Sequence, residues 1–314
     1  MTAAPTGDAD PGLAGLDRLP TEASRPELAE LDTWSAADAV HLFVDDHADV
    51  LAAVRAAHGQ IAAAVEAVAG HLSAGGRLIY VGAGTGGRIA AQDAAEIGPS
   101  FGLHGRVAAV FAGGVDAMID GREFYEDDAE QGAIERRALE PTAQDVVVGV
   151  SASGRTPYVL GGMAAARQAG AFTIGFACVP RSPLAAAADA AIEVVTGPEI
   201  IAGSTRLKAG SAQKLVLNTL STMAMVSLGR TYGNLMVDVS ADNGKLRRRA
   251  LRAVVEATGV DEAGAERALD DADGHAKVAI VAILAATSSA RARELLTRAD
   301  GRVRIAVALA RDAD

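Results

Sequence analysis

Three hydroxyls fall within six residues of this chain, in Ser151-Ala152-Ser153-Gly154-Arg155-Thr156-Pro157, directly after the β-type run Asp145 to Ser151. A phosphate dianion accepts hydrogen bonds on every terminal oxygen, and the backbone N–H groups at a helix start favour negative charge. A strand that runs into hydroxyls and a glycine before a new helix therefore reads as a phosphate grip. One helix cap would need one hydroxyl, at Ser153 or Thr156, and three exceed that need.

An earlier turn, Gly82-Ala83-Gly84-Thr85-Gly86-Gly87-Arg88, also follows a β-type run, Arg77 to Gly82. It satisfies the spacing of a dinucleotide fingerprint at Gly82, Gly84 and Gly87. That fold places an acid at the end of its second strand to hold a ribose, and here the strand ends Phe111-Ala112-Gly113-Gly114. The required context fails, so the turn does not read as a dinucleotide site, and the ligand of the Ser151-Ala152-Ser153-Gly154-Arg155-Thr156 turn reads as a phosphorylated metabolite held by protein donors. No G-x-x-x-x-G-K-[ST] run is present, which argues against a nucleoside triphosphate.

The elements that position these turns are legible. Five β-type runs, Arg77 to Gly82, Val107 to Phe111, Asp145 to Ser151, Phe172 to Ala177 and Ala191 to Thr196, alternate with alanine-rich helical patterns. Alternation of this kind implies an α/β fold, a doubly wound five-stranded parallel sheet of flavodoxin type. Ser35 to Leu72 reads as one or two helices, and Lys208 to Tyr232 as one long helix. Asp261 to Asp270, Gly274 to Ala285 and Ser288 to Arg298 read as a small C-terminal three-helix module. The expected division is a disordered tail over residues 1–20, a main domain over 21–245 and a helical domain over 246–314.

The chain has 314 residues, 40 acidic and 29 basic, with a formal net charge of −11. That balance argues against nucleic acid as a partner. The start lacks a basic segment followed by an apolar run, and no stretch has membrane-spanning length, so a cytoplasmic protein without a membrane partner is expected. The single cysteine, Cys178, lies in an apolar run and reads as a small buried hydrophobe.

Longer stretches carry a resemblance. LIYVGAGT at 78–85, TAQDVVVGVSASGRTPYV at 142–159, GSTRLKAGSAQKLVLNTLST at 203–222 and GNLMVDV at 233–239 resemble the N-acetylmuramic acid 6-phosphate etherases, within the sugar isomerase (SIS) superfamily. The resemblance runs over roughly residues 20–300 in order and spacing. It implies hydrolysis of a D-lactyl ether on a phosphorylated amino sugar, by elimination of lactate and addition of water, with no metal and no organic cofactor. It also implies a homodimer with active sites near the interface. By the family's spacing Glu96 protonates the departing lactate oxygen and later activates water, and Glu126 removes the proton from carbon 2. Read alone, the acidic run around Glu126 has the character of a solvated face, and Glu123 is the neighbouring alternative. The resemblance also implies that Gly84 and Thr85 join Ser151, Ala152, Ser153 and Thr156 in binding the phosphosugar. Lys208 either balances the phosphate or polarises the aldehyde, or is a solvent-exposed helix start.

The chain departs from the family pattern at three places. Gly86 stands where a serine is usual, Arg25 and Leu28 replace an asparagine and a serine, and Ile97-Gly98-Pro99-Ser100 replaces C-P-P-T. A lost hydrogen bond to a charged group costs about 1.5–3 kcal/mol, so restoring serine at 86 is expected to tighten binding. Two other activities share the same loop: an aldose–ketose isomerase, which needs no acid at Glu96, and a non-catalytic phosphosugar sensor like the glucokinase regulatory proteins.

Overall fold

The structure, a computed structural model, describes residues 15–121, 123–239 and 244–312, without the side chains of Leu16 and Glu123. The expected tail therefore lies outside the described residues up to position 14, and Leu16–Arg18 and Pro20–Glu22 form short 3-10 turns. Helices α1 (Ala36–Asp46), α2 (Ala48–Ala56) and α3 (His58–Ser73) follow, three where the sequence suggested one or two. The breaks fall at His47 and Ala57, and Ser35 caps α1 by accepting the Asp38 N–H at 3.2 Å. Then come β1 (Leu78–Gly82), α4 (Gly84–Phe101), β2 (Val107–Phe111), α5 (Gly114–Ile119), α6 (Ala129–Arg137), β3 (Val146–Val150), α7 (Pro157–Gln168), β4 (Phe172–Ala177), α8 (Pro183–Ala187), β5 (Ala190–Glu193) and α9 (Lys208–Ser227).

The five strands form one sheet in the order β2-β1-β3-β4-β5, and β1–β3, β3–β4 and β4–β5 pair in parallel. This is the doubly wound arrangement the alternation predicts. Every residue of β1 and β3 is buried, as expected of strands covered on both faces. The order switches direction between β1 and β3, where doubly wound folds place their ligand crevice, beyond the carboxyl ends of the strands. Both glycine- and hydroxyl-bearing turns sit there.

At the opposite end of the same two strands, Arg77 and Asp145 close the sheet. The Arg77 guanidinium donates to Asp145 at 2.7 Å, and the N–H groups of Arg77 and Thr142 donate to it at 2.8 and 2.9 Å. Burial raises the Asp145 carboxyl, but Arg77 and these N–H groups outweigh it and hold it below the usual aspartate value.

Contacts divide the chain into two units: the part up to Asp93 with Ala108–Leu220, and Ala94–Val107 with Ser221 to the C-terminus. The second unit contains a two-stranded ribbon, β6 (Thr231–Tyr232) and β7 (Leu235–Met236), the first in place of the last residues of the expected helix Lys208 to Tyr232. Gly229 in the left-handed region ends α9, and Gly233-Asn234, just past the expected end of that helix, is a hairpin signal. Five helices rather than three complete it among the described residues: α10 (Gly244–Thr258), α11 (Glu262–Asp271), α12 (Ala276–Leu284), α13 (Ser289–Arg298) and α14 (Val303–Arg311). α12 is buried along most of its length at the centre of one apolar cluster with Leu269, Leu295 and Val303. No helix among the described residues is long and apolar enough to cross a membrane.

Candidate functional site

A cavity of about 500 Å³ opens in the first unit, beyond the ends of β1 and β3. The turn after β3 supplies Ser151, Ala152, Ser153 and Thr156 to its wall. Its hydroxyls bond to one another and to the backbone of the turn. Ser151 Oγ lies 2.7 Å from Thr156 Oγ1 and 3.4 Å from Ser153 Oγ, and accepts the Gly154 N–H at 3.0 Å. Ser153 Oγ accepts the Arg155 N–H at 3.2 Å. Thr156 is the residue that precedes α7, yet its side chain makes no capping bond, and Pro157 occupies the first helical position. The simple helix-cap explanation of these hydroxyls therefore fails.

The turn after β1 supplies Gly84, Thr85 and Gly86. Gly82 and Gly87 let β1 and α4 approach closely: a β carbon on Gly82 would lie 2.6 Å from Gly87 Cα. These glycines are thus explained by strand–helix packing without a dinucleotide. Gly84 has φ +52°, and a β carbon there would lie 2.5 Å from Glu126 Oε1. Glu126, on the 3-10 turn Glu123–Asp127, therefore presents its carboxylate directly over the first turn and lines the cavity. Asp128, next along, caps α6 by accepting the Gln131 N–H at 2.8 Å. Tyr158 of α7 donates to Glu135 of α6, tying the segment that carries Glu126 to the hydroxyl turn.

α4 is held by Asp93, a buried carboxylate that accepts from Tyr80 of β1 and Asn218 of α9, both at 2.7 Å. Burial, with the Asp93 charge beside it, pushes the Tyr80 phenol well up, so it stays a donor. Glu96 lies one turn further along α4, exposed, and is not among the residues lining the cavity.

Lys208 is placed elsewhere than the sequence suggested. It is buried, and its ammonium sits 3.2 Å from both Asp46 and Asp49, facing a separate cavity with Ser24 and Arg25. Its N–H and that of Ala209 donate to buried Glu199, which caps α9. The cation is committed to two carboxylates and is not in the phosphate cavity. Arg25 joins the same network, 2.5 Å from Asp46, which accounts for one departure from the family pattern. Cys178 is fully buried, and burial raises its thiol, in keeping with a packing role.

Several cavity residues escaped the sequence reading. Glu22 enters from the N-terminal turn, fixed where the Gly203 N–H donates to the Thr21 carbonyl at 3.1 Å. Thr205 and Arg206 come from the loop before α9, and Gln213 from α9 itself. The signal was available in GSTRLKAGSAQK at 203–214, but nothing in its spacing distinguishes side chains facing a cavity from those facing the core.

Comparison with known proteins agrees with this geometry. Residues 60–167 match the model of the glucokinase regulatory protein N-terminal SIS domain, and residues 128–225 match that of the SIS domain. The chain is 52% identical over 296 residues to an N-acetylmuramic acid 6-phosphate etherase of Streptomyces coelicolor, covering 94% of this chain and 95% of that one. It is 54% identical to the etherase of Rubrobacter xylanophilus, over 93% of this chain and 97% of the relative. Identity to the Mycolicibacterium smegmatis etherase is 48%, over 93% and 98%. With likeness of that extent along both lengths, the chain belongs to the N-acetylmuramic acid 6-phosphate etherase family.

Proposed function

We propose that this protein cleaves the D-lactyl ether of N-acetylmuramic acid 6-phosphate, giving N-acetylglucosamine 6-phosphate and D-lactate. One observation carries the reading: in a chain about half identical to named etherases, one cavity joins the ordered hydroxyl turn to the Glu126 carboxylate. The phosphate rests on Ser151, Ser153, Thr156 and the turn Gly84–Gly86. With the sugar ring open, the aldehyde acidifies the proton on carbon 2, and Glu126 removes it. Glu96 gives its proton to the oxygen on carbon 3, and lactate departs. Glu96 then takes a proton from water, whose hydroxide adds to carbon 3, and Glu126 returns its proton to carbon 2. General acid–base help of this kind is worth on the order of 10²–10⁴-fold per group. The reaction belongs in the cytoplasm, in the recycling of cell-wall amino sugars.

The working unit is a homodimer with active sites near the interface, in which Glu96 of one copy serves the cavity of the other. One feature supports the dimer: α1 buries none of its residues while exposing Val40, Phe43 and Val44. Mixing inactive Glu96→Ala and Glu126→Ala proteins tests it. Shared sites give heterodimers with one complete site, so activity returns on mixing. No recovery after subunit exchange means Glu96 does not act in trans.

A second reading has its own observation: among the described residues, Glu22 and Glu126 are the two glutamates lining the cavity. In it Glu22 is the acid. Glu22→Gln would then abolish lactate release while retaining exchange of the carbon-2 proton, and Glu96→Gln would retain release.

A further inference from the structure

Gln213, on the second turn of α9, is 1% exposed yet lines the cavity. Its Oε1 is buried and has no hydrogen-bond partner among the described residues. Buried amides in folded proteins are almost always satisfied, and an exception at a cavity wall points to a ligand. Arg136 is the contrasting case, equally buried and unpartnered but absent from the cavity lining.

The position of the Gln213 carboxamide gives it a specific task. A β carbon on Gly86 would lie 3.2 Å from Nε2, 3.4 Å from Oε1 and 3.1 Å from Cγ1 of Val150, the residue before Ser151. The carboxamide thus fills the ground between the two turns, in the space a side chain at position 86 would claim. The unpartnered atom stands as the acceptor Oε1, which a phosphate dianion cannot satisfy; rotating the carboxamide by half a turn, without changing its shape, puts the donor N–H in that place.

We propose that Gln213 is a ligand-binding residue of the phosphosugar site, its N–H group donating to the phosphate held by the Ser151–Thr156 turn. This rests on the phosphosugar reading above. It also revises the expectation for position 86. Serine there crowds the carboxamide, so Gly86→Ser alone does not tighten binding. The Gly86→Ser/Gln213→Ala pair has room for the new hydroxyl and binds better than Gln213→Ala.

Binding of N-acetylglucosamine 6-phosphate by calorimetry tests the proposal, with unfolding temperatures measured in the absence of ligand. Gln213→Met keeps the shape and removes both polar atoms. It is expected to bind roughly 10- to 100-fold more weakly while melting no lower than the wild type, because an unsatisfied buried group has been removed. Gln213→Glu keeps an acceptor but turns a negative charge toward the phosphate, and is expected to bind more weakly still. If Gln213→Met binds as tightly as the wild type, or melts lower without ligand, the assignment is overturned. Equal binding by Gln213→Glu overturns the donation to phosphate. If the wild-type protein does not bind the phosphosugar at all, the phosphate site itself falls, and this inference with it.

Discussion

The turns after β1 and β3 occupy equivalent places on adjacent parallel strands, but they contribute to the cavity in different ways. Between Gly82 and Gly87 the chain offers close backbone and the start of α4, with glycines chosen for approach. Between Ser151 and Thr156 it offers side-chain hydroxyls already bonded to one another. Preorganised donors cost little reorganisation when an anion binds, whereas bare backbone supplies dipole and space. The first turn makes room, and the Glu126 carboxylate fills that room. In the proposed site the second turn supplies side-chain donors to the phosphate, the first adds backbone, and Glu126, from the segment between β2 and β3, brings the chemistry.

That division can be broken most severely at Gly84. Its φ of +52° is costly for alanine, and the added β carbon would sit 2.5 Å from Glu126 Oε1. Gly84→Ala is expected to lower kcat by about 10²–10⁴-fold through a displaced base, with a smaller effect on binding of N-acetylglucosamine 6-phosphate. A pure KM effect in steady-state kinetics would contradict the division. Ser151→Ala comes next, because Ser151 Oγ joins Ser153, Gly154 and Thr156. Product affinity should fall roughly 10- to 100-fold by calorimetry, while exchange of the carbon-2 proton at saturating substrate is largely kept. Thr156→Val should cost less, about 2- to 10-fold in affinity and little in stability, since its hydroxyl caps nothing. A large drop in unfolding temperature with unchanged affinity would restore the capping explanation.

The smallest effect on function is expected at the other end of the same strands. Asp145 is held below the ordinary aspartate value in the folded state, so its stabilisation is full above about pH 3.9 and fades as pH falls through the depressed value. Asp145→Asn should therefore lower stability at pH 7 and lose that disadvantage as pH falls below the ordinary aspartate value in denaturant titrations. Phosphosugar affinity at pH 7 should stay within about 2-fold, as Asp145 does not line the cavity.

Much of this arrangement was legible in the sequence because it is local. Strand-turn-helix alternation marked all five strands of the sheet, and the hydroxyl spacing marked the turn after β3. What was not legible depends on contacts distant in sequence. Lys208 looked like a free cation at a helix start, but Asp46 and Asp49, some 160 positions earlier, pair with it. Glu22 reaches the cavity only because its turn is hydrogen-bonded to the loop at Gly203. Glu126 was recognised through family spacing against the character of its acidic neighbourhood, and its place over Gly84 has no local signature. The β6–β7 ribbon was missed for a different reason: the helix pattern read to Tyr232 ran across Gly229 and over β6.

The central claim is that the cavity cleaves a lactyl ether from a phosphorylated amino sugar. Incubating the purified protein with N-acetylmuramic acid 6-phosphate and measuring D-lactate tests it directly. The account predicts stoichiometric D-lactate and N-acetylglucosamine 6-phosphate, and no reaction with unphosphorylated N-acetylmuramic acid. Absence of D-lactate at high enzyme concentration, from protein that binds the phosphosugar, would contradict it.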